Sequence, residues 1–385
     1  MIDPAALVRH YSRFRVSERV LLTGHSHQAW PNVAFDGQVD AWTDAATYVD
    51  DKWERAFAVA QEVRAGFAGL LGDDAGRIAL GASTHELLIR FLSGLPLTSR
   101  PRLVTTDGEF HSLRRQLDRL GEAGIAVVRV PARPVATLAE RVTKEITPGT
   151  AAVLLSAVLF ETAEIVPHLG VLVEPCARAG AELLVDAYHA LNVVPFDLAG
   201  QGLARAYVVG GGYKYCQLGE GNCFLRFPES CEMRPVVTGW YSEFEHLEEG
   251  SGREVRYGAG PARFAGSTYD PTSHYRAAEV FRFFRTQRLG VGDLRASSQR
   301  QIRRLAEGFD ALDLDPKRIR REPLPLEGLG GFLALRAPDA RAFVPALRER
   351  GVFVDSRRDL LRLGPAPYVT DAQLDQALHA LREVA

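Results

Sequence analysis

Only four of the 46 Lys and Arg residues are lysine, at positions 52, 144, 214 and 317, so chemistry that needs an amine nucleophile has four candidates. Lys214 lies in Val208-Val-Gly-Gly-Gly-Tyr-Lys214-Tyr-Cys-Gln-Leu-Gly219-Glu-Gly221. An apolar strand runs into three glycines, and two more follow the lysine. Such a loop lets the backbone pass close to a planar or anionic group. Between two apolar strands the ammonium is costly, so burial lowers the pKa and frees the amine for Schiff-base formation. The competing reading is a lysine at a loop mouth whose head reaches water along an apolar stem. Lys52 and Lys144 stand in charged helical contexts and Lys317 in Asp-Pro-Lys-Arg-Ile-Arg-Arg, with no comparable setting.

Asp186 closes the apolar run Leu183-Leu-Val-Asp186-Ala-Tyr-His189-Ala, and ligand-binding residues of a parallel sheet sit at such strand ends. A carboxylate there calls for a cationic partner, or else caps a following helix. If the amine holds pyridoxal 5'-phosphate, that partner is the ring nitrogen, kept protonated so that the ring draws electrons. His189 is placed to orient the carboxylate, or is a core imidazole. Ala79-Leu-Gly-Ala-Ser83-Thr84-His85-Glu86 offers first-turn N–H groups and hydroxyls to a phosphate, although Ser-Thr-x-Glu also reads as an ordinary capping box. In Thr105-Thr-Asp-Gly-Glu109-Phe110-His111-Ser112, Phe110 or His111 can stack on a ring or simply fill the core.

These groups need strands to hold them. Runs at 102–106, 126–130, 151–160, 182–186, 205–209 and 222–227 are continuously apolar rather than alternating, the pattern of strands covered on both faces. Amphipathic stretches lie between them, such as Ser112 to Glu122, with Leu113, Leu117 and Leu120 on one face. The expectation is an α/β fold with a mostly parallel sheet flanked by helices. Past 275 the chain reads as helices at 273–286, 290–310, 338–350 and 371–384 around one strand at 330–336, a smaller α+β domain. The expected division is an N-terminal segment, 1–50, packing with the small domain; a large domain, 51–275; and the small domain, 276–385.

At 385 residues, 46% hydrophobic and with a net charge of -2, the composition is that of a soluble globular protein without the basic excess that polyanion binding requires, so no nucleic-acid partner is expected. No apolar run is long enough to cross a membrane, the early arginines rule out a secretory signal, and a cytoplasmic location is expected. Cys176, Cys216, Cys223 and Cys231 lack the close pairing of a disulfide framework or zinc site and read as small buried hydrophobes; no metal is expected.

Taken in order, the motifs resemble the class V aminotransferase branch of the fold-type I pyridoxal-phosphate enzymes, and more specifically kynureninases, over roughly residues 20 to 370. The resemblance implies the fold-type I architecture: a mostly parallel seven-stranded sheet with flanking helices plus a smaller C-terminal α+β domain. It implies pyridoxal 5'-phosphate, with Lys214 as the Schiff-base lysine, Asp186 at the ring nitrogen, His189 nearby and Tyr213 on the phosphate. Ser83 and Thr84 match the phosphate-binding turn, and Phe110 falls where kynureninases stack phenylalanine on the cofactor. Thr238-Gly-Trp240-Tyr241 resembles the tryptophan motif near the phosphate. Phe264-Ala-Gly-Ser267-Thr268 resembles a loop that reaches the neighbouring subunit's phosphate, which implies a homodimer with sites completed across the interface. Leu361-Arg362-Leu-Gly-Pro-Ala-Pro367-Tyr resembles the segment whose arginine grips the substrate α-carboxylate, a task suited to a planar fork. From residues alone Arg362 is equally a surface ion pair.

The kynureninase segment resembling Gly-Asn-Ser-Leu-Gly is here Gly24-His25-Ser26-His27-Gln28, which puts Ser26 and His27 among the substrate-binding candidates. The loop at 47–55 lacks the family's aryl-contacting histidine, and Phe160-Glu-Thr162-Ala163 replaces the class V Asn-x-Thr-Gly. No cysteine follows Cys231, so the desulfurase nucleophile has no counterpart. The expected function is kynureninase-like hydrolytic Cβ–Cγ cleavage of an amino acid with release of alanine. The alternatives are class V transamination to a 2-oxo acid and a non-catalytic cofactor-binding module.

Overall fold

The computed structural model describes residues 2–249 and 254–385. Seven strands form the central sheet: β1 (Ile78–Gly81), β2 (Arg102–Thr106), β3 (Ala126–Val130), β4 (Thr150–Ser156), β5 (Glu182–Asp186), β6 (Tyr207–Gly211) and β7 (Cys223–Arg226). Their order across the sheet is β1-β7-β6-β5-β4-β2-β3. Strands β2 to β6 run parallel, and β7 runs antiparallel to both β6 and β1. The sheet is thus mostly parallel, as the continuous apolar runs imply; every residue of β4, β6 and β7 is buried.

Two boundaries and one strand differ from the sequence reading. The run at 151–160 leaves the ladder after Ser156, because the chain turns through Ala163 at φ 66 and pairs locally with its own continuation, Val158 opposite Ile165. The run at 205–209 pairs two residues later, at 207–211. Strand β1 was not anticipated; four residues ending in glycine are too short to show a period.

Helices α1 (Val33–Tyr48), α2 (Lys52–Leu71), α3 (Thr84–Ser93), α4 (His111–Glu122), α5 (Leu138–Glu145) and α6 (Val173–Ala179) precede the long pair α7 (Thr272–Thr286) and α8 (Val291–Asp310). In α4 the buried Leu113 and Leu117 stand one turn apart and face the sheet. The four cysteines are free and buried.

The C-terminal region holds more strand than the single run expected: β8 (Arg320–Arg321), β9 (Leu333–Arg336), β10 (Asp355–Arg357) and β11 (Leu360–Leu363) form an antiparallel sheet in the order β10-β11-β9-β8. Arg/Asp-rich β10 carries no apolar pattern, so only its pairing with β11 reveals it. Helices α9 (Ala340–Arg348) and α10 (Asp371–Val384) complete this region. The N-terminal segment joins it through backbone pairing: Val20 and Leu21 run parallel to Val352 and Phe353, and Thr23 bridges to Gly364. No helix among the described residues is long and apolar enough to cross a membrane.

Candidate active site

The site lies where the parallel strands end. Ser156 closes β4 directly opposite Asp186, the last residue of β5, and β6 runs out through Gly211 into the loop that carries Lys214. Phe110 precedes α4 just beyond β2, and Ser83 precedes α3 just beyond β1. Convergence at carboxyl strand ends is the usual way an open α/β sheet builds a ligand crevice.

These ends enclose a cavity of about 300 Å³. Lys214, Asp186, His189 and Tyr213 line it, with Phe110, Ser83 and Thr84. The Lys214 side chain is buried, and its Nζ lies 2.7 Å from His189 Nε2. The amine also stands 4.7 Å from the Tyr188 ring centroid and 5.0 Å from that of Phe110. Burial lowers its pKa to about 7, against the opposing pull of Asp186 and with the help of Arg362. Burial, reinforced by the Lys214 charge, drives His189 well below the usual histidine range, so the imidazole is neutral. Its Nδ1 finds no partner among the described residues.

His189 therefore serves Lys214 and not the carboxylate against which the sequence reading set it. Asp186 is oriented instead by its own turn, where Oδ1 accepts from the Tyr188 amide at 2.8 Å. Burial raises the Asp186 pKa, opposed by that amide bond and by Lys214. Burial also pushes Tyr213 up to about 12, which keeps its hydroxyl a donor at neutral pH. Ser83 caps α3 by accepting from the Glu86 amide at 3.2 Å, while a Glu86 oxygen accepts from the Ala82 amide at 3.1 Å. The capping reading of Ser83 thus holds, and the same turn, Ala82 to His85, lines the cavity.

Other candidates lie outside the cavity. Ser267 and Thr268 are exposed and line an adjoining cleft of about 1010 Å³, which shares Ala82, His85 and Gly221 with the cavity. Trp240 lines neither space; it is exposed and packs on Tyr241 and Phe244. His27 stands at the rim with its ring stacked on Tyr213 at 4.7 Å and Nε2 3.3 Å from Glu220 Oε1, while Ser26 Oγ lies 3.3 Å from His27 Nδ1. Arg362 is buried one layer behind the wall and donates to the carbonyl of Phe160, whose side chain lines the cavity. Its ion pair is with Asp355, in the interior and not at the surface.

Three residues of the site were not singled out from sequence. Tyr188 lines the cavity and is buried; its hydroxyl lies 3.9 Å from Cys223 Sγ. Glu109 is buried behind Ser156, accepting from Ser156 Oγ at 2.6 Å and from Thr106 Oγ1 at 2.5 Å; burial raises its carboxyl to about 7 despite those bonds. Phe160 meets Phe110 edge-on at 5.3 Å. Their signal in sequence is adjacency to motifs only, because nothing local says which neighbour turns inward.

The whole chain overlays solved structures. One of C-DES, a mutant with glycine covalently linked to the PLP cofactor, superposes with a TM-score of 0.84 at 16% identity, covering 97% of this chain and 98% of that one. The apo cysteine desulfurase of Thermococcus onnurineus NA1 gives 0.82 at 17%, covering 100% and 98%. The fold is that of the fold-type I pyridoxal-phosphate enzymes. Residues 294–381 match the kynureninase C-terminal domain model. The chain is 25% identical to a kynureninase of Deinococcus radiodurans over 90% of this chain and 82% of that protein. It is 22% identical to the uncharacterized aminotransferase YcbU of Bacillus subtilis (strain 168) over 90% and 89%. The chain is thus similar to kynureninases and to a class V aminotransferase relative. Within this fold-type I chain, β10 and β11, which carry Asp355 and Arg362, lie inside the matched C-terminal domain.

Proposed function

We propose that this protein is a pyridoxal-phosphate enzyme that cleaves the Cβ–Cγ bond of an amino acid bearing a γ-carbonyl, releasing alanine. The observation that carries the reading is the buried Lys214 amine held between the Phe110 and Tyr188 rings with Asp186 in reach of its field. The donor set fits the cofactor: Lys214 Nζ for the aldehyde carbon, Asp186 for the ring nitrogen, Phe110 for a ring face. The first turn of α3 with Ser83, Thr84 and Tyr213 suits the phosphate. When bound, the cofactor supplies an electron sink for charge developing at the substrate α-carbon.

The remaining work falls to side chains. Lys214 Nζ would be the base beside the substrate α-carbon, with the neutral His189 at 2.7 Å as its proton partner. Asp186 would keep the ring nitrogen charged. Arg362, buried one layer behind the wall at Phe160, is the group assigned to the substrate carboxylate, and its position inside the kynureninase-matching segment supports that role. Water added to the γ-carbonyl gives a hydrate; as Cβ–Cγ breaks, Cγ leaves as the acid, the proton lost from the hydrate goes to the β-carbon, and the proton held by Lys214 returns to the α-carbon to complete alanine. A second copy of the chain completes the site: the exposed Ser267–Thr268 loop and the exposed Phe244 ring line the open cleft, and the exposed Trp240 packs on Phe244. Screening γ-keto amino acids, kynurenine among them, for alanine release tests the reaction. Stoichiometric keto-acid formation, with the amino group retained on the cofactor, favours transamination, the second reading that the aminotransferase relative supports.

A further inference from the structure

Arg362 is held on two sides. Its Nε donates to Asp355 Oδ1 at 2.8 Å and Nη2 to Asp355 Oδ2, across the β10–β11 register in which the two residues are paired, while Nη1 donates to Phe160 O at 2.6 Å. Asp355 in turn meets His25 Nε2 at 2.8 Å. His25 is 1% exposed, and its ring lies 4.6 Å from the Phe332 ring, over which the Arg362 guanidinium also sits at 5.5 Å. Burial brings His25 down to about 4 against the pull of Asp355, so at neutral pH it is an uncharged donor through Nε2.

Two glycines permit this contact. Gly24 N donates to Gly364 O and Gly364 N to Leu22 O, both at 2.7 Å. A Cβ on Gly24 would stand 2.9 Å from Gly364 O, and one on Gly364 would collide with the His25 ring. The N-terminal strand is thereby pressed onto the end of β11, and His25 is driven in behind Asp355.

A guanidinium carries five N–H bonds. Asp355 takes Nε and one on Nη2, and Phe160 O takes one on Nη1. One N–H therefore remains on each terminal nitrogen, two donors available to a carboxylate. Asp355 has a second cation within reach, Arg357, two residues along the same strand, with Nη1 3.7 Å from Oδ2. Without the His25 bond the carboxylate is free to turn toward Arg357 and release the Nε side of Arg362.

We propose that His25 and Asp355 are positioning residues that clamp the Nε edge of Arg362 and aim its remaining fork at the substrate α-carboxylate. The proposal rests on the reading of Arg362 as the carboxylate-binding group. It assigns the divergent 24–28 segment a role through His25, buried beneath the rim residues Ser26 and His27.

The test is binding of L-alanine and of ethylamine, which lacks only the carboxylate, to the cofactor-loaded protein, followed by the cofactor's visible absorption. His25→Phe keeps a ring against Phe332 and removes the donor. His25→Gln restores an N–H at the reach of Nε2. In His25→Phe, L-alanine affinity falls about tenfold while ethylamine affinity and cofactor retention stay within about twofold of the parent, and His25→Gln recovers most of the loss. Unchanged L-alanine affinity in His25→Phe, an equal loss for both ligands, or no recovery in His25→Gln overturns the proposal. Arg362→Gln separates the two layers. If it abolishes the advantage of L-alanine over ethylamine while His25→Phe does not, only the positioning role fails. If the advantage survives Arg362→Gln and disappears in Arg357→Gln, the reading of Arg362 fails with it.

Discussion

Lys214 Nζ and His189 Nε2 are 2.7 Å apart in the interior; burial depresses the proton affinity of both, and the Lys214 charge depresses that of the imidazole further. One site thus holds a neutral imidazole beside an amine poised near neutrality, a combination suited to trapping an aldehyde and then moving a proton.

The amine gives the first prediction. Because burial lowers the Lys214 pKa to about 7, its reactive neutral form grows as pH rises through that value in the cofactor-free protein. Pyridoxal phosphate followed by borohydride should label Lys214 with a midpoint near pH 7, as read by peptide mapping, and Lys214→Ala should lose both label and turnover. A label on Lys52, Lys144 or Lys317 in its place refutes the assignment.

Glu109 predicts a pH-dependent stability. Its folded-state carboxyl is raised from 4.5 to about 7, so the stabilisation of the neutral form is complete below about 4.5 and is lost as pH climbs to 7. Glu109→Gln, permanently neutral, should gain on the parent between pH 5 and pH 8 by up to about 3 kcal/mol in urea unfolding. Parallel stability curves for the two proteins would show that the carboxyl titrates normally.

The two rings flanking the amine should hold the cofactor unequally. Phe110→Ala removes a stacking face and should weaken cofactor retention about tenfold, since aromatic contacts contribute about 0.5–1.5 kcal/mol beyond burial. Tyr188→Phe keeps the ring and loses only the hydroxyl, so equilibrium dialysis should show a loss of no more than a few fold. A larger loss for Tyr188→Phe would place its hydroxyl on the phosphate.

Assembly is tested at the exposed aromatic cluster. Trp240 is 44% exposed and Phe244 48% in the single chain, an apolar surface beside a large open cleft. Sedimentation should show a dimer, and Trp240→Lys should shift it toward monomer and lower cofactor occupancy together. A monomeric parent protein with full occupancy would contradict completion of the site by a second copy.

The sequence by itself determined the α/β class, the positions of most sheet strands and the pairing of a strand-end aspartate with a glycine-flanked lysine. Each of these is written in contiguous residues: unbroken apolar runs mark doubly covered strands, and glycines mark the turn that lets Lys214 enter. Strands β1, β8, β10 and β11 escaped because two to four residues carry no readable period. Tertiary structure alone decided which polar side chains meet. His189 faces Lys214 because the β5 and β6 exits lie side by side, and His25 reaches Asp355 across 330 positions of chain because Gly24 and Gly364 let two backbones touch. Glu109 joins Ser156 only when β2 and β4 stand adjacent in the sheet. Burial is a property of the assembled chain, so the shifted protons at Lys214, Glu109 and His25 belong to the fold and not to any stretch of sequence.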